Sequence, residues 1–170
     1  MIRLQRSLLI AVTATVLALG LCAPAQAAGA VWKDWNSGLR DAATAGKPVI
    51  VDVYTDWCTW CKRMDQDVYA RADVKQYLAE HFVQVKLNAE YTTAARYEGK
   101  AYTSRTLAER FRVNGFPTTI FLRADGTHMA NVPGYVPAER FILLLHYIGD
   151  GAMDRGVSYD DFVKQNSGGN

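Results

Sequence analysis

The pattern of apolar and polar positions along the chain predicts four β-strands. The run Val49–Tyr54 is rich in β-branched residues and apolar on both faces apart from Asp52, which is typical of a central strand covered on both sides. Residues 82–87 alternate with a period of two and indicate a second strand. A strand over Thr118–Leu122 leads through a short Asp-Gly turn, which favours a hairpin, into a partner strand over residues 127–132.

Between these strands, apolar residues recur at helical spacing. The predicted helices cover residues 31–45 and 62–69, a segment capped by Asp73, residues 104–111 capped by Ser104, and a long segment that opens at Pro137. The apolar positions of the last helix, which predict a buried stripe, are Phe141, Leu144, Leu145 and Ile148. Residues 159–164 are expected to add a helical turn or two. Residues 88–103 are polar, rich in tyrosine and without clear periodicity.

The order of the predicted elements limits the fold class. A βαβ crossover unit comes first, and an antiparallel hairpin followed by a helix comes last. This order predicts an α/β fold with a mixed central sheet and helices on both faces. The chain has no evident repeat or linker, so one domain is expected.

The first 27 residues are expected to lie outside this domain. Arg3 and Arg6 precede a continuous apolar run, and Ala25-Gln26-Ala27 follows it, which is the pattern of a signal peptide cleaved after Ala27. The alternatives are a retained membrane anchor and lipidation of Cys22. The run of about 14 residues is short against the ~20 that span a bilayer, and the bulky Leu21 suits a lipoprotein cleavage site poorly.

Charge gives no indication of a nucleic-acid partner. The 19 basic and 17 acidic side chains become 17 and 17 once Arg3 and Arg6 are removed, so the mature chain over residues 28–170 is formally neutral. Nucleic-acid binding would be expected to show a basic bias. A monomer is expected, because no further exposed apolar stripe is evident.

The two cysteines of the mature chain, Cys58 and Cys61, lie in the stretch Trp57-Cys58-Thr59-Trp60-Cys61-Lys62. A structural disulfide gains more from closing a long loop than this short one, so redox chemistry is the better explanation. At a helix start, free amides and the helix dipole would lower the pKa of a thiol. We expect Cys58 to be the exposed nucleophile and Cys61 the buried resolving thiol of a redox-active disulfide.

Metal and cofactor binding are the competing interpretation of this motif. A zinc site needs two further ligands, but His81, His128 and His146 are isolated in the sequence. Covalent haem attachment requires a histidine where the chain has Lys62. We therefore predict no metal and no cofactor, and metal transfer stays as the alternative.

Two stretches resemble the thioredoxin superfamily. Residues 47–62 (KPVIVDVYTDWCTWCK) are especially similar to the C-terminal domain of transmembrane thiol:disulfide interchange proteins, and residues 113–121 (VNGFPTTIF) resemble the superfamily's cis-proline loop. Gly134-Tyr135 and the following helix resemble exported thioredoxin-like proteins linked to sulfur oxidation. The resemblance spans about residues 32–151 and implies a thioredoxin fold.

Asp52 lies six residues before Cys58, the offset of the buried acid of thioredoxins. An unpaired carboxylate in a central strand is costly, so its pKa should rise. The resemblance implies that Asp52 assists deprotonation of Cys61 through water. The alternative is that Asp52 faces solvent or caps a neighbouring loop.

The resemblance also implies a substrate-binding surface. It implies a cis Phe116-Pro117 bond that presents the Phe116 backbone to an extended substrate. Trp57 and Trp60 are expected to form an apolar rim around Cys58, with ordinary packing as the alternative for each.

The resulting functional hypothesis is a periplasmic dithiol reductase or electron carrier. Its partners would be a membrane thiol electron donor and exported proteins with disulfides. The dipeptide Thr59-Trp60 matches neither the Gly-Pro of thioredoxins nor the Pro-His of strong oxidases, so a disulfide oxidase or isomerase stays as an alternative. A metal- or client-binding module is the third. Residues 88–103 exceed their thioredoxin counterpart and are either a partner-binding loop or an inert insertion.

Overall fold

The structure, a computed structural model, describes residues 31–166 of the 170-residue chain. The predicted signal peptide over residues 1–27, with Cys22, lies outside these residues. Within them, no helix is both long and apolar enough to cross a lipid bilayer.

A four-stranded mixed sheet forms the centre of the described part of the chain. The described residues contain six strands, of which β3 and β4 lie outside this sheet: β1 (Val49–Tyr54), β2 (Val83–Asn88), β3 (Ala94–Tyr97), β4 (Lys100–Thr103), β5 (Thr118–Leu122) and β6 (His128–Pro133). The order in the sheet is β2-β1-β5-β6, with β1 parallel to β2 and antiparallel to β5. The four predicted strands are therefore confirmed, within one residue at their ends.

Helices cover both faces of this sheet, as predicted. They are α1 (Trp35–Ala45), α2 (Thr59–Arg63), α3 (Ala72–His81), α4 (Ser104–Arg110), α5 (Ala138–Gly149) and α6 (Tyr159–Asn166). Alternate residues of a strand face opposite sides. Accordingly, Val51 packs in a core with α1 and α4, whereas Ile50 packs in a second core with α3 and α5. Of the predicted stripe on α5, only Leu144 is half-buried rather than buried.

Outside the cysteine motif, three helix starts differ from the prediction. Helix α1 begins at Trp35 rather than residue 31, because the Asp34 carboxylate caps it by accepting a hydrogen bond from the Ser37 amide at 3.0 Å. Helix α3 begins before Asp73, which lies inside its first turn. Helix α4 is capped by Thr103 instead of Ser104, since Thr103 forms a reciprocal capping box with Thr106.

Residues 88–103, for which no element was predicted, contain a small antiparallel hairpin. Strands β3 and β4 pair with each other and form a separate two-stranded sheet. Burial alternates over the four residues of β3, but no residue of β4 is buried, so the hairpin has too short an apolar alternation to identify it as two strands in the sequence.

Candidate active site

The two cysteines lie where the central strand β1 turns into helix α2. Cys58 and Cys61 form a disulfide, with their Cα atoms 5.3 Å apart. Cys58 is the N-cap of α2, and its Sγ accepts a hydrogen bond from the Cys61 amide at 3.1 Å. An amide donor and the positive end of a helix both favour a thiolate, so this geometry would stabilise the Cys58 thiolate once the disulfide is reduced.

The expectation that Cys58 is exposed is wrong for this disulfide state. Cys58 and Cys61 are each only 3% exposed. The reason is the N-cap position, which turns the Cys58 sulfur toward the first helical turn, where it bonds to the Cys61 sulfur. The neighbouring tryptophans are exposed instead, Trp57 by 64% and Trp60 by 53%.

The sequence predicts one helix over residues 62–69, but the structure shows two helical segments of different type. Helix α2 already begins at Thr59, and after Arg63 the chain continues as a π-helix over Met64–Tyr69. A π-helical turn is wider than an α-helical one and occurs frequently at functional sites. This segment contributes Asp65, whose carboxylate pairs with Lys86, and Tyr69, whose ring lies near the Lys86 ammonium.

Two pairs of aromatic rings involve the predicted substrate-binding residues. Trp57 packs edge-on against Phe116, with ring centroids 6.1 Å apart, and the Phe116-Pro117 peptide bond is cis. Trp60 packs against Tyr135 at 5.5 Å. We call Trp57, Trp60, Phe116 and Tyr135 the aromatic rim. Sequence reasoning noted Tyr135 in a motif but gave it no role, because its contact with Trp60 is tertiary.

Asp52 is fully buried, which excludes the alternative that it faces solvent. The expectation that it is unpaired is wrong, because the Lys86 Nζ lies 2.7 Å from its Oδ2 atom. The two residues are register partners on β1 and β2. Burial raises the pKa of the Asp52 carboxyl, and the charge of Lys86 offsets part of this rise.

Lys86 bridges Asp52 to a second carboxylate that sequence reasoning also missed. Its Nζ lies 2.5 Å from Asp65 Oδ1. Burial lowers the pKa of the Lys86 ammonium, but attraction to the two carboxylates outweighs burial and places the pKa above its usual value. The ammonium also lies over three aromatic rings at 5.1 to 5.7 Å, those of Trp32, Tyr54 and Tyr69. Lys86 is thus held in its charged form.

The sequence of this chain is similar to a known protein family and to thiol–disulfide exchange proteins, as the following comparisons show. Residues 35–149 match the family described as Thioredoxin-like domain. Thiol:disulfide interchange protein DsbD of Ralstonia nicotianae is 34% identical over 111 residues, which are 65% of this chain but 17% of DsbD. The chain thus spans about a sixth of that relative. The disulfide bond reductase DsbH of Chlamydia pneumoniae is 24% identical over 115 residues, 67% of this chain and 68% of DsbH.

Solved structures support the fold. A thioredoxin-fold protein from Helicobacter pylori matches 71% of this chain and 80% of its own, with a TM-score of 0.63 and 22% identity. A thioredoxin from Thermus thermophilus matches 76% of this chain and 94% of its own, with a TM-score of 0.62 and 23% identity. The chain therefore belongs to the thioredoxin-like domain family.

Proposed function

We propose that this protein is a periplasmic dithiol reductase or electron carrier, which takes electrons from a membrane thiol donor and reduces disulfides in exported proteins. The observation that carries the proposal is the Cys58–Cys61 disulfide at the start of α2, with an amide donor on the Cys58 sulfur. Export rests on the signal-peptide pattern of residues 1–27. The reducing direction is supported by the buried acid Asp52 and by the name of the relative DsbH, a disulfide bond reductase.

In the proposed reaction, the reduced protein attacks a substrate disulfide in two steps. The Cys58 thiolate bonds to one substrate sulfur, and the other leaves as a thiolate that takes up a proton. Cys61 then loses its proton and attacks the Cys58 sulfur, which releases the second substrate thiol and forms the Cys58–Cys61 disulfide. Two electrons pass to the substrate, and a donor dithiol returns the protein to its reduced state.

Asp52 is the group that we assign to the proton of Cys61. A carboxyl whose pKa is raised by burial can hold a proton nearer neutral pH than an exposed one. Lys86 and Asp65 are positioning residues in this scheme. Lys86 favours the ionised carboxylate of Asp52 by its charge, and Asp65 moderates that effect because it shares the same ammonium.

The aromatic rim is the surface that we assign to substrate binding. Trp57 directly precedes Cys58, and Trp60 lies between the two cysteines in the sequence. Both tryptophans are largely exposed whereas the sulfurs are buried, so we expect a substrate that reaches Cys58 to contact them. The backbone of Phe116, before the cis Pro117, would pair with an extended substrate segment.

The equilibrium reduction potential of the Cys58–Cys61 pair tests the direction of electron flow. We expect a value near that of thioredoxin, about −270 mV, from titration against glutathione and dithiothreitol with alkylation read by mass spectrometry. A value near about −120 mV would instead support the oxidase alternative. If the two cysteines form no reversible disulfide, the redox proposal fails and the binding-module alternative takes its place.

A further inference from the structure

The end of strand β2 and the segment that follows it are hydrogen-bonded to the two residues that precede Cys58. The Asn88 Nδ2 donates to Asp56 Oδ1 at 3.0 Å, and the Tyr91 hydroxyl donates to Asp56 Oδ2 at 2.8 Å. The Trp57 indole Nε1 donates to Glu90 Oε1 at 3.0 Å. Both side chains of the dipeptide Asp56-Trp57 are therefore held from outside the active-site loop.

The residues that hold this dipeptide are themselves fixed. The Glu90 amide donates to Asn88 Oδ1 at 3.0 Å, and Asn88 is the last residue of β2, an outer strand of the central sheet. From helix α4, Arg105 donates its side chain to the Glu90 carbonyl at 3.2 Å and its amide to the Tyr91 carbonyl at 3.1 Å. The backbone of residues 90 and 91 is thus tied to two elements of the domain.

The hairpin that follows is docked on helix α1. Asn36 donates to the Ala94 carbonyl at 2.8 Å and accepts from the Arg96 amide at 2.9 Å. The Trp35 indole donates to the Arg96 carbonyl at 2.9 Å. These side chains form hydrogen bonds with backbone groups of β3 and so fix the hairpin to helix α1. The hairpin in turn anchors the residues that precede it to the domain.

This anchoring fixes the side chain of Trp57 in one orientation. That side chain is 64% exposed, yet its N–H is bonded to Glu90 and its ring packs edge-on against Phe116. An exposed side chain normally loses rotamer freedom when a partner binds, and this loss weakens binding. A tryptophan that is already fixed avoids the loss and offers an aromatic face beside the disulfide.

We propose that Glu90 is a positioning residue that holds Trp57 as a preformed wall for polypeptide substrates with a bulky apolar side chain next to their cysteine. The inference rests on the proposed function, because it assigns the specificity of the same site. Glu90 affects the docking of the substrate and leaves the thiol chemistry unchanged, since neither sulfur is among its hydrogen-bond partners. Residues 88–103 are then a support for the active site rather than an inert insertion.

The experiment compares two disulfide substrates across three variants. Glu90→Ala removes the acceptor of the Trp57 N–H, whereas Glu90→Gln keeps a side-chain oxygen that can accept it. Glu109→Ala on helix α4 is the matched control, because the exposed Glu109 side chain makes no hydrogen bond or ion pair with the described residues. The substrates are insulin and the small bis(2-hydroxyethyl) disulfide, and the Trp57 indole N–H is followed by NMR.

We expect Glu90→Ala to raise the KM for insulin roughly 3- to 10-fold with kcat nearly unchanged, the range that corresponds to fixing one side chain. Turnover of the small disulfide should stay within about 2-fold of wild type, because a small molecule gains little from the wall. The indole N–H signal should shift in Glu90→Ala, and Glu90→Gln and Glu109→Ala should behave like wild type.

An unchanged KM for insulin in Glu90→Ala would overturn the inference, as would an equal loss with both substrates. These outcomes are distinct from failure of the proposed function. In that case the wild-type protein itself would reduce neither substrate, while the NMR comparison would still report whether Glu90 fixes Trp57.

Discussion

Replacing Cys58 by Ala in the chain of residues 28–170 is expected to lower the rate of disulfide reduction by at least about 10³-fold, as loss of a nucleophile does in other enzymes. Cys61 is the only other thiol in that chain, and it lacks the position of Cys58 at the helix N-cap. The measurement is insulin reduction coupled to dithiothreitol.

Replacing Cys61 by Ala should have a different effect, because the first step of the reaction survives. The donor to the Cys58 sulfur is the backbone amide of residue 61, which an alanine retains. The Cys58 thiolate should still attack, and the mixed disulfide should accumulate because no second thiol resolves it. Mass spectrometry should show one substrate chain per protein.

The matched control for these variants is Cys58→Ser. Serine is a good N-cap and alanine a poor one, so Cys58→Ser should recover stability that Cys58→Ala loses, typically about 1 kcal/mol. It should recover no activity, because the sulfur is still missing. If Cys58→Ala formed the stable mixed disulfide and Cys61→Ala did not, the assignment of nucleophile and resolving thiol would be reversed.

Replacing Asp52 by Asn is expected to stabilise the folded protein at pH values above the folded-state pKa of the Asp52 carboxyl, while slowing its reaction. Burial raises the pKa of the Asp52 carboxyl in the folded protein above its ordinary value of 3.8. At any pH between 3.8 and the folded-state pKa, the folded protein therefore binds more protons than the unfolded one. The stability contributed by Asp52 therefore falls as pH rises through its folded-state pKa. Asparagine cannot ionise, so Asp52→Asn avoids this loss, which amounts to about 1.4 kcal/mol for each tenfold by which folding weakens the acid.

The matched variant Lys86→Met should act in the opposite direction. In Asp52→Asn, Lys86 keeps Asp65 as a partner at 2.5 Å. In Lys86→Met, the ionised Asp52 is left buried without its cation, which typically costs about 3–5 kcal/mol. Urea unfolding of both variants between pH 5 and about 9 should therefore give stability differences of opposite sign, each growing with pH. The same sign for both would contradict the pairing.

The kinetic effect of Asp52→Asn should fall on the second step, in which Cys61 loses its proton. Loss of a general base typically costs at least about 10²-fold near neutral pH. Rapid mixing of reduced protein with substrate, followed by acid quenching, should show the mixed disulfide persisting and its decay accelerating as pH rises. Decay at the wild-type rate would leave Asp52 with a structural role alone.

The parts of the fold that were predicted correctly depend on local signals. The apolar run of β1 and the Asp-Gly turn after β5 identify their strands because the pattern is contained in the segment itself. The hairpin of β3 and β4 has no such pattern, since Trp35 and Asn36, about sixty residues earlier, bind its backbone. No window of the sequence that is as short as a strand contains that information.

The same distinction holds at the site. Cys58, Cys61 and Asp52 are candidate site residues because their spacing along the chain is characteristic. Lys86 was missed because its contact with Asp52 depends on the register between β1 and β2, which only the folded sheet defines. Sequence reasoning placed Cys58 in the solvent because it treats a nucleophile as exposed, whereas the sulfur is turned inward by the helix cap.

The residues Cys58 and Cys61 are each only 3% exposed, and this burial limits which thiols and oxidants can reach their sulfur atoms. Thiol–disulfide exchange requires an attacking thiolate to reach a sulfur atom, so free thiols and oxidants in the surrounding fluid meet little reactive surface. A docked partner, by contrast, can bring its cysteine past the tryptophans. We therefore expect the pair to exchange more slowly with small thiols and disulfides than with a docked protein, without losing that exchange altogether.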